Sequence, residues 1–145
     1  MITGMPILEK PVGYYKQSGV IPYRYTNGKM EILLITSRKK KKWVIPKGII
    51  ESGMSPEESA SKEAFEEAGI KGVVYDRNLG EYSYEKWGGL CRVKVYPMKV
   101  EEILDKWEED DFRERKWFSP DKALDKIKDD SLREIVKIFP SVLGS

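Results

Sequence analysis

The sequence predicts a mixed sheet covered by helices, α/β or α+β in class, in a single domain spanning residues 1–145. Three observations carry that expectation. A hairpin signature opens the chain. A well-capped helix follows through a glycine-containing loop. Further strand-like runs then precede two amphipathic stretches near the C-terminus. The length of 145 residues suits one proper core, and 40% apolar residues favour a folded chain over a disordered one. No internal repeat or linker interrupts the pattern.

Residues 1–13 are punctuated by proline and glycine and are expected to be irregular. "QSGVIPYRYTNGKMEILLITSR" reads as a hairpin, two apolar runs around Asn27-Gly28, a strong type I′ turn signal. "WVIP" at 43–46 is a short strand ending at Pro46, and residues 47–54 are read as a loop. Ser55 then supplies an N-cap, Pro56 suits the first helical position, and Glu58 completes a capping box. The helix runs to Ala68 and stops at Gly69. "GVVYDRNLGEYSYEKW" and "LCRVKVYPMKV" read as strands joined by a tight turn at Gly88-Gly89, with Cys91, Val93 and Val95 inward and Arg92, Lys94 and Tyr96 outward. Residues 112–118 form another candidate strand. Ser119-Pro120-Asp121 starts a second helix with Leu124 and Ile127 on its apolar face. Leu132, Ile135, Val136 and Phe139 mark a third.

Composition excludes much chemistry. One cysteine, Cys91, rules out a disulfide framework and a cysteine-based zinc site. The absence of histidine rules out histidine bases, triads and zinc ligation. Any metal must therefore be held by oxygen, which favours Mg²⁺ or Mn²⁺. A net charge of +2 gives no global field toward nucleic acid or membrane, and neither is expected as a partner. The charges cluster instead, basic in "RKKKK" at 38–42 and acidic in "EEILDKWEEDD" at 101–111. No apolar run reaches the roughly 18 residues a span needs, and the N-terminus carries no signal-like apolar run, so a cytoplasmic protein is expected.

Glu63, Glu66 and Glu67 are spaced i, i+3, i+4 and fall on one side of the first helix. Three clustered carboxylates repel one another. Spacing alone leaves two readings. One is a solvated acidic face, eased by Lys62 and Lys71. The other is a divalent-metal site in which a hard cation removes the repulsion.

The glycine loop, the capped helix, "KEAFEEAGI" and its terminal glycine together resemble the Nudix hydrolase signature. That signature is a Gly, five residues, a Glu, seven residues, then Arg-Glu-aliphatic-any-Glu-Glu-any-Gly-aliphatic. It falls here on Gly48, Met54, Lys62, Glu63, Ala64, Glu66, Glu67, Gly69 and Ile70. Met54 stands where the first Glu is usual, and Lys62 replaces the Arg. The resemblance implies an α/β/α sandwich with a catalytic loop-helix, and hydrolysis of a pyrophosphate linkage using Mg²⁺ or Mn²⁺. It implies Glu63, Glu66 and Glu67 as the catalytic, metal-binding carboxylates, with the Lys47 carbonyl as an added ligand. A general base outside the motif is sought among Glu101, Glu108 and Glu109. The two departures are read as a supporting layer rebuilt with apolar packing at Met54, while Lys62 reaches Glu66 one turn on.

"LLITSRKKKKWVIPKG" and "DKWEEDDFRERKWFSPDKAL" resemble the diphosphoinositol and diadenosine polyphosphate branch of the family. That implies a small-molecule nucleotide or polyphosphate substrate, with Arg38, Lys42, Lys47, Gly48, Arg113 and Arg115 meeting its phosphates. A plain solvated turn is the alternative for "RKKKK". Trp43 and Trp87 are candidates for base stacking or for ordinary packing. A catalytically weak nucleotide-binding module and an RNA-end pyrophosphohydrolase are the competing functions. A monomer and a homodimer are equally compatible with the sequence.

Overall fold

The computed structural model describes residues 14–144, so the irregular segment expected over residues 1–13 lies outside the described residues. The hairpin forms as expected. β1 (Tyr14–Thr26) and β2 (Lys29–Thr36) pair antiparallel around Asn27 and Gly28, both at positive φ (53° and 76°), as a type I′ turn requires. The paired residues are Tyr23–Thr26 and Lys29–Ile32. The first half of β1 therefore keeps a free edge on that side.

That free edge explains a difference from the sequence reading. After β3 (Trp43–Val44) pairs with the end of β2, the chain does not enter a loop at Lys47. It forms β4 (Lys47–Ile49), antiparallel to Gln17–Gly19 of β1. α1 (Pro56–Ala68) follows with the expected boundaries and capping box. β5 (Ile70–Val74), β6 (Gly80–Lys86) and β7 (Gly89–Ile103) come next. The β6–β7 turn is Trp87-Gly88, one residue earlier than Gly88-Gly89. Lys86 pairs with Gly89, and Trp87 takes the left-handed conformation (φ 55°) that the glycine pair had suggested one position on. β8 (Arg115–Phe118) is shorter than the expected strand, because Phe112 and Arg113 both donate their N–H to the Glu109 carbonyl in a helix-like turn. α2 (Pro120–Lys126) and α3 (Asp130–Gly144) close the chain.

Among the described residues the strands form one mixed sheet. β1 and β7 run parallel at its centre, and the other pairings are antiparallel. Side-chain alternation divides the core. Ile21, Tyr23, Ile32 and Leu34 face Leu132, Ile135, Val136 and Phe139 of α3. Val20, Leu33 and Ile35 face Ala60, Ala64 and Ala68 of α1. The result is an α/β/α sandwich. It also explains why Tyr96, expected outside, is buried along with Met98. α1 covers the second face of β7 there, so both faces of the strand need apolar cover. No helix among the described residues is long and apolar enough to cross a membrane.

Candidate active site

α1 is positioned by its smallest residues. Ala60, Ala64 and Ala68 recur every four residues and are fully buried, which brings the helix backbone close to the sheet. Glu63 and Glu67 each precede one of these alanines, so they reach the sheet beside β4. Both helix ends are fixed. At the start, the Glu58 N–H donates to Ser55 Oγ (3.0 Å), and the Ser55 N–H donates to Glu58 Oε1 (2.9 Å). At the end, Gly69 takes φ 66°, with Trp107 and Arg115 packed where a β-carbon would lie.

The C-terminal carbonyls of α1, which no helix can satisfy internally, are taken up by one segment, residues 104–115. Glu66 O accepts from the Glu109 N–H (3.1 Å), and Glu67 O from the Trp107 indole (3.0 Å). Ala68 O accepts from Arg115 Nη1 (2.7 Å), and Gly69 O from the Leu104 N–H (2.8 Å). Arg115, expected to meet phosphate, thus donates to the helix end and stacks 3.9 Å over the Trp107 ring.

The three motif carboxylates divide into a pair and a single. Glu67 Oε1 accepts from the Lys47 N–H (3.2 Å). Glu63 lies beside Glu67, and its carboxyl rests against Gly48. Burial, then the charges of Glu67 and Glu66, push the Glu63 carboxyl up to about 8. Burial also raises Glu67, against the opposing pull of Arg113 and Lys47. Glu66 instead turns to Lys62, with its Oε2 2.6 Å from Nζ. Among the described residues no three acidic side chains close on a single point. Two crowded, desolvated carboxylates are nevertheless a donor set suited to a hard dication, which takes oxygen ligands and relieves their repulsion.

Gly48 is needed here because a β-carbon would overlap the Glu63 carboxyl. Gly48→Ala is expected to fold, since only the mobile end of one side chain must move. The displaced carboxylate should lower kcat on the order of 10²-fold. Turnover measured beside thermal unfolding checks this, and unchanged turnover would contradict the contact.

β4 also orients Lys47. The Val20 N–H donates to Pro46 O and the Ile50 N–H to Lys16 O, which makes Lys47 opposite Gly19 a non-hydrogen-bonded pair. Its N–H and carbonyl therefore turn away from β1, toward Glu67. The Lys47 ammonium lies 4.9 Å from the Tyr84 ring, and burial pulls it below its ordinary value while Glu67 opposes that shift. The Tyr84 hydroxyl donates to Oε1 of Gln17 (2.8 Å), a glutamine only 2% exposed. The sequence reading passed over Gln17 and Tyr84. The available signal was the strand period, because Gln17 lies in line with Ile21 and Tyr23, where an inward apolar residue belongs.

Arg113 was expected on phosphate. It sits between carboxylates, with Nε donating to Glu109 Oε1 (2.8 Å), Nη2 3.5 Å from Glu67 Oε2, and Nη1 donating to Thr36 O (3.0 Å). Of the three candidate bases, the structure brings Glu109 into this network. Glu101 is exposed on β7, and Glu108 is exposed within the 104–115 segment. In the basic run, Arg38 lies 4.4 Å over Phe112 and Lys41 donates to Phe112 O (2.8 Å). Lys39, Lys40 and Lys42 have exposed side chains with no partner among the described residues. Trp43 packs edge-on against Phe118 (5.1 Å), whereas Trp87 is exposed beside Tyr15 (5.2 Å).

Comparison with known proteins agrees with this architecture. The NUDIX domain family model matches residues 16–139. Nudix hydrolase 21, chloroplastic, from Arabidopsis thaliana is 35% identical over 133 residues, covering 88% of this chain and 67% of that protein. Diphosphoinositol polyphosphate phosphohydrolase 3-beta from Bos taurus is 33% identical over 116 residues, covering 79% and 70%. Among solved structures, a C. elegans Ap4A hydrolase binary complex superposes with a TM-score of 0.78 at 24% identity, covering 90% of this chain and 98% of that one. At that identity the likeness establishes the fold.

Proposed function

The chain belongs to the NUDIX domain family, and from that premise we propose that it is a metal-dependent pyrophosphohydrolase acting on a nucleotide or polyphosphate. The observation that carries this reading is the desolvated Glu63–Glu67 pair, held against Gly48 and the Lys47 N–H. Glu63 and Glu67, with Glu66 and the Lys47 carbonyl beside them, would hold Mg²⁺ or Mn²⁺. A cation so held supplies neutralisation of pyrophosphate charge and activation of water. The remaining work belongs to the chain. Lys47 presents an ammonium to phosphate oxygens, and Arg113 fixes Glu67 and Glu109 relative to each other. Glu109 is the carboxylate outside the motif best placed to accept a proton from water, since it already belongs to the Glu67 network.

The direct test is a panel of dinucleoside polyphosphates, nucleoside diphosphate derivatives, capped or triphosphorylated RNA ends and inositol pyrophosphates. Each is incubated with Mg²⁺ or Mn²⁺ and scored for phosphate products. No turnover on any member would overturn the reading.

Within this reading we favour a substrate with many phosphates. Lys39, Lys40 and Lys42, unpartnered among the described residues, lie between β2 and the chain's entry to the site. Replacing Lys39, Lys40 and Lys42 with Gln is expected to raise KM roughly tenfold at low salt for a phosphate-rich substrate. A dinucleotide with two phosphates should be affected much less, and high salt should erase the difference. KM for both substrates at two ionic strengths reads this directly. Equal shifts, or none, would make the run a solvated turn.

A further inference from the structure

The motif position that normally carries a supporting glutamate holds Met54, and the sequence suggested that apolar packing had replaced an ion pair. The structure differs: the ion pair is still made, from another residue. Lys62 Nζ lies 3.0 Å from Glu51 Oε2 as well as 2.6 Å from Glu66 Oε2. We propose that Glu51 is a positioning residue for the metal site, holding Lys62 so that Lys62 holds Glu66. The inference rests on the metal-dependent reading above.

Two observations separate this arrangement from a chance surface pair. The Glu51 backbone is tied to the helix, its N–H donating to Oγ of Ser59 (2.9 Å), a residue 1% exposed. The turn that carries it is closed by the Met54 N–H donating to Glu51 O (3.1 Å), and Ser59 Oγ also donates to Met54 Sδ (3.7 Å). Both ends of the Glu51–Met54 turn are thus fixed to one buried serine. Met54 and Lys62 line the same surface depression. Glu51 supplies a carboxylate to Lys62 from three residues upstream of position 54.

The bridge is exposed and contributes little stability by itself. Its effect is geometric, keeping a flexible lysine in one place. Glu51→Gln should therefore melt like wild type, bind Mn²⁺ about three- to tenfold more weakly by calorimetry, and need correspondingly more metal for half-maximal turnover, with substrate KM unchanged. Met54→Glu added to Glu51→Gln should restore Mn²⁺ affinity, because it relocates the carboxylate. In a cycle with Lys62→Met, Glu51→Gln should add no further loss, since its action runs through Lys62. Unchanged Mn²⁺ affinity in Glu51→Gln, failure of Met54→Glu to restore it, or additive losses with Lys62→Met would each overturn the inference alone. Absence of Mn²⁺ binding and of turnover in the wild type would overturn the functional reading and this inference together.

Discussion

Glu67→Gln is expected to lower divalent-dependent turnover by at least about 10²-fold, the scale of removing one preorganised charge from a desolvated site, while the protein melts no lower than wild type. The two expectations share one cause. Glu67 is 8% exposed, lies beside Glu63, and has its carboxyl raised chiefly by burial. Glu63 is pushed up to about 8 by burial and by its neighbours. An acid whose folded-state value is raised stabilises the fold while it stays protonated, and that stability is lost as pH rises through the folded value. Metal-free wild type should therefore lose melting temperature between about pH 5 and pH 8, as the pair is forced to ionise. Glutamine keeps the shape and removes one of the repelling charges, so Glu67→Gln should flatten that decline. Added Mg²⁺ should raise the wild-type melting temperature at pH 8 and leave the variant nearly unmoved, because a ligand stabilises only a state that binds it. Full turnover by a folded Glu67→Gln protein would remove the carboxylate pair from the chemistry.

Much of this site was legible because its signals are local. Ser55, Pro56 and Glu58 specify a helix start through contacts within one turn, and Asn27-Gly28 specifies a hairpin the same way. Glutamates at i, i+3, i+4 must share a side of any helix. The parts that differed depend on what lies across space. β4 exists because β2 pairs only part of β1, a fact about register that no window of residues contains. The second partner of Lys62 is Glu51, whose carboxylate lies 3.0 Å away although eleven positions earlier in the chain. Arg113 and Arg115 read as phosphate ligands because their segment resembles that of polyphosphate hydrolases. The acceptors they meet within the chain, the Thr36 carbonyl and the end of α1, are visible only once β8 is placed beside β2.

Arg113→Met is expected to carry the largest stability cost, about 2–3 kcal/mol, or roughly 8 °C in melting temperature. Methionine preserves much of the length and apolar stem while removing the charge and its forked donors. The loss leaves three acceptors short of partners, namely Glu109 (2.8 Å), Glu67 (3.5 Å) and the Thr36 carbonyl (3.0 Å). The Arg113 side chain is only 10% exposed, and the Glu67 and Glu109 side chains are 10% and 18% exposed, so water compensates them only in part. Arg113→Lys should recover a fraction, because one ammonium cannot reach acceptors arranged for a planar fork. The network also predicts non-additivity. Glu109→Gln made alone leaves Arg113 paired with Glu67, whereas Glu109→Gln made in Arg113→Met removes a carboxylate already unpaired. The double variant should therefore be more stable than the sum of the two losses implies, by about 1 kcal/mol or more. Denaturant melts without substrate measure all four states. A phosphate-binding arginine would give the opposite result, with wild-type stability in Arg113→Met and an elevated KM, and that outcome would return Arg113 to the role its sequence context suggested.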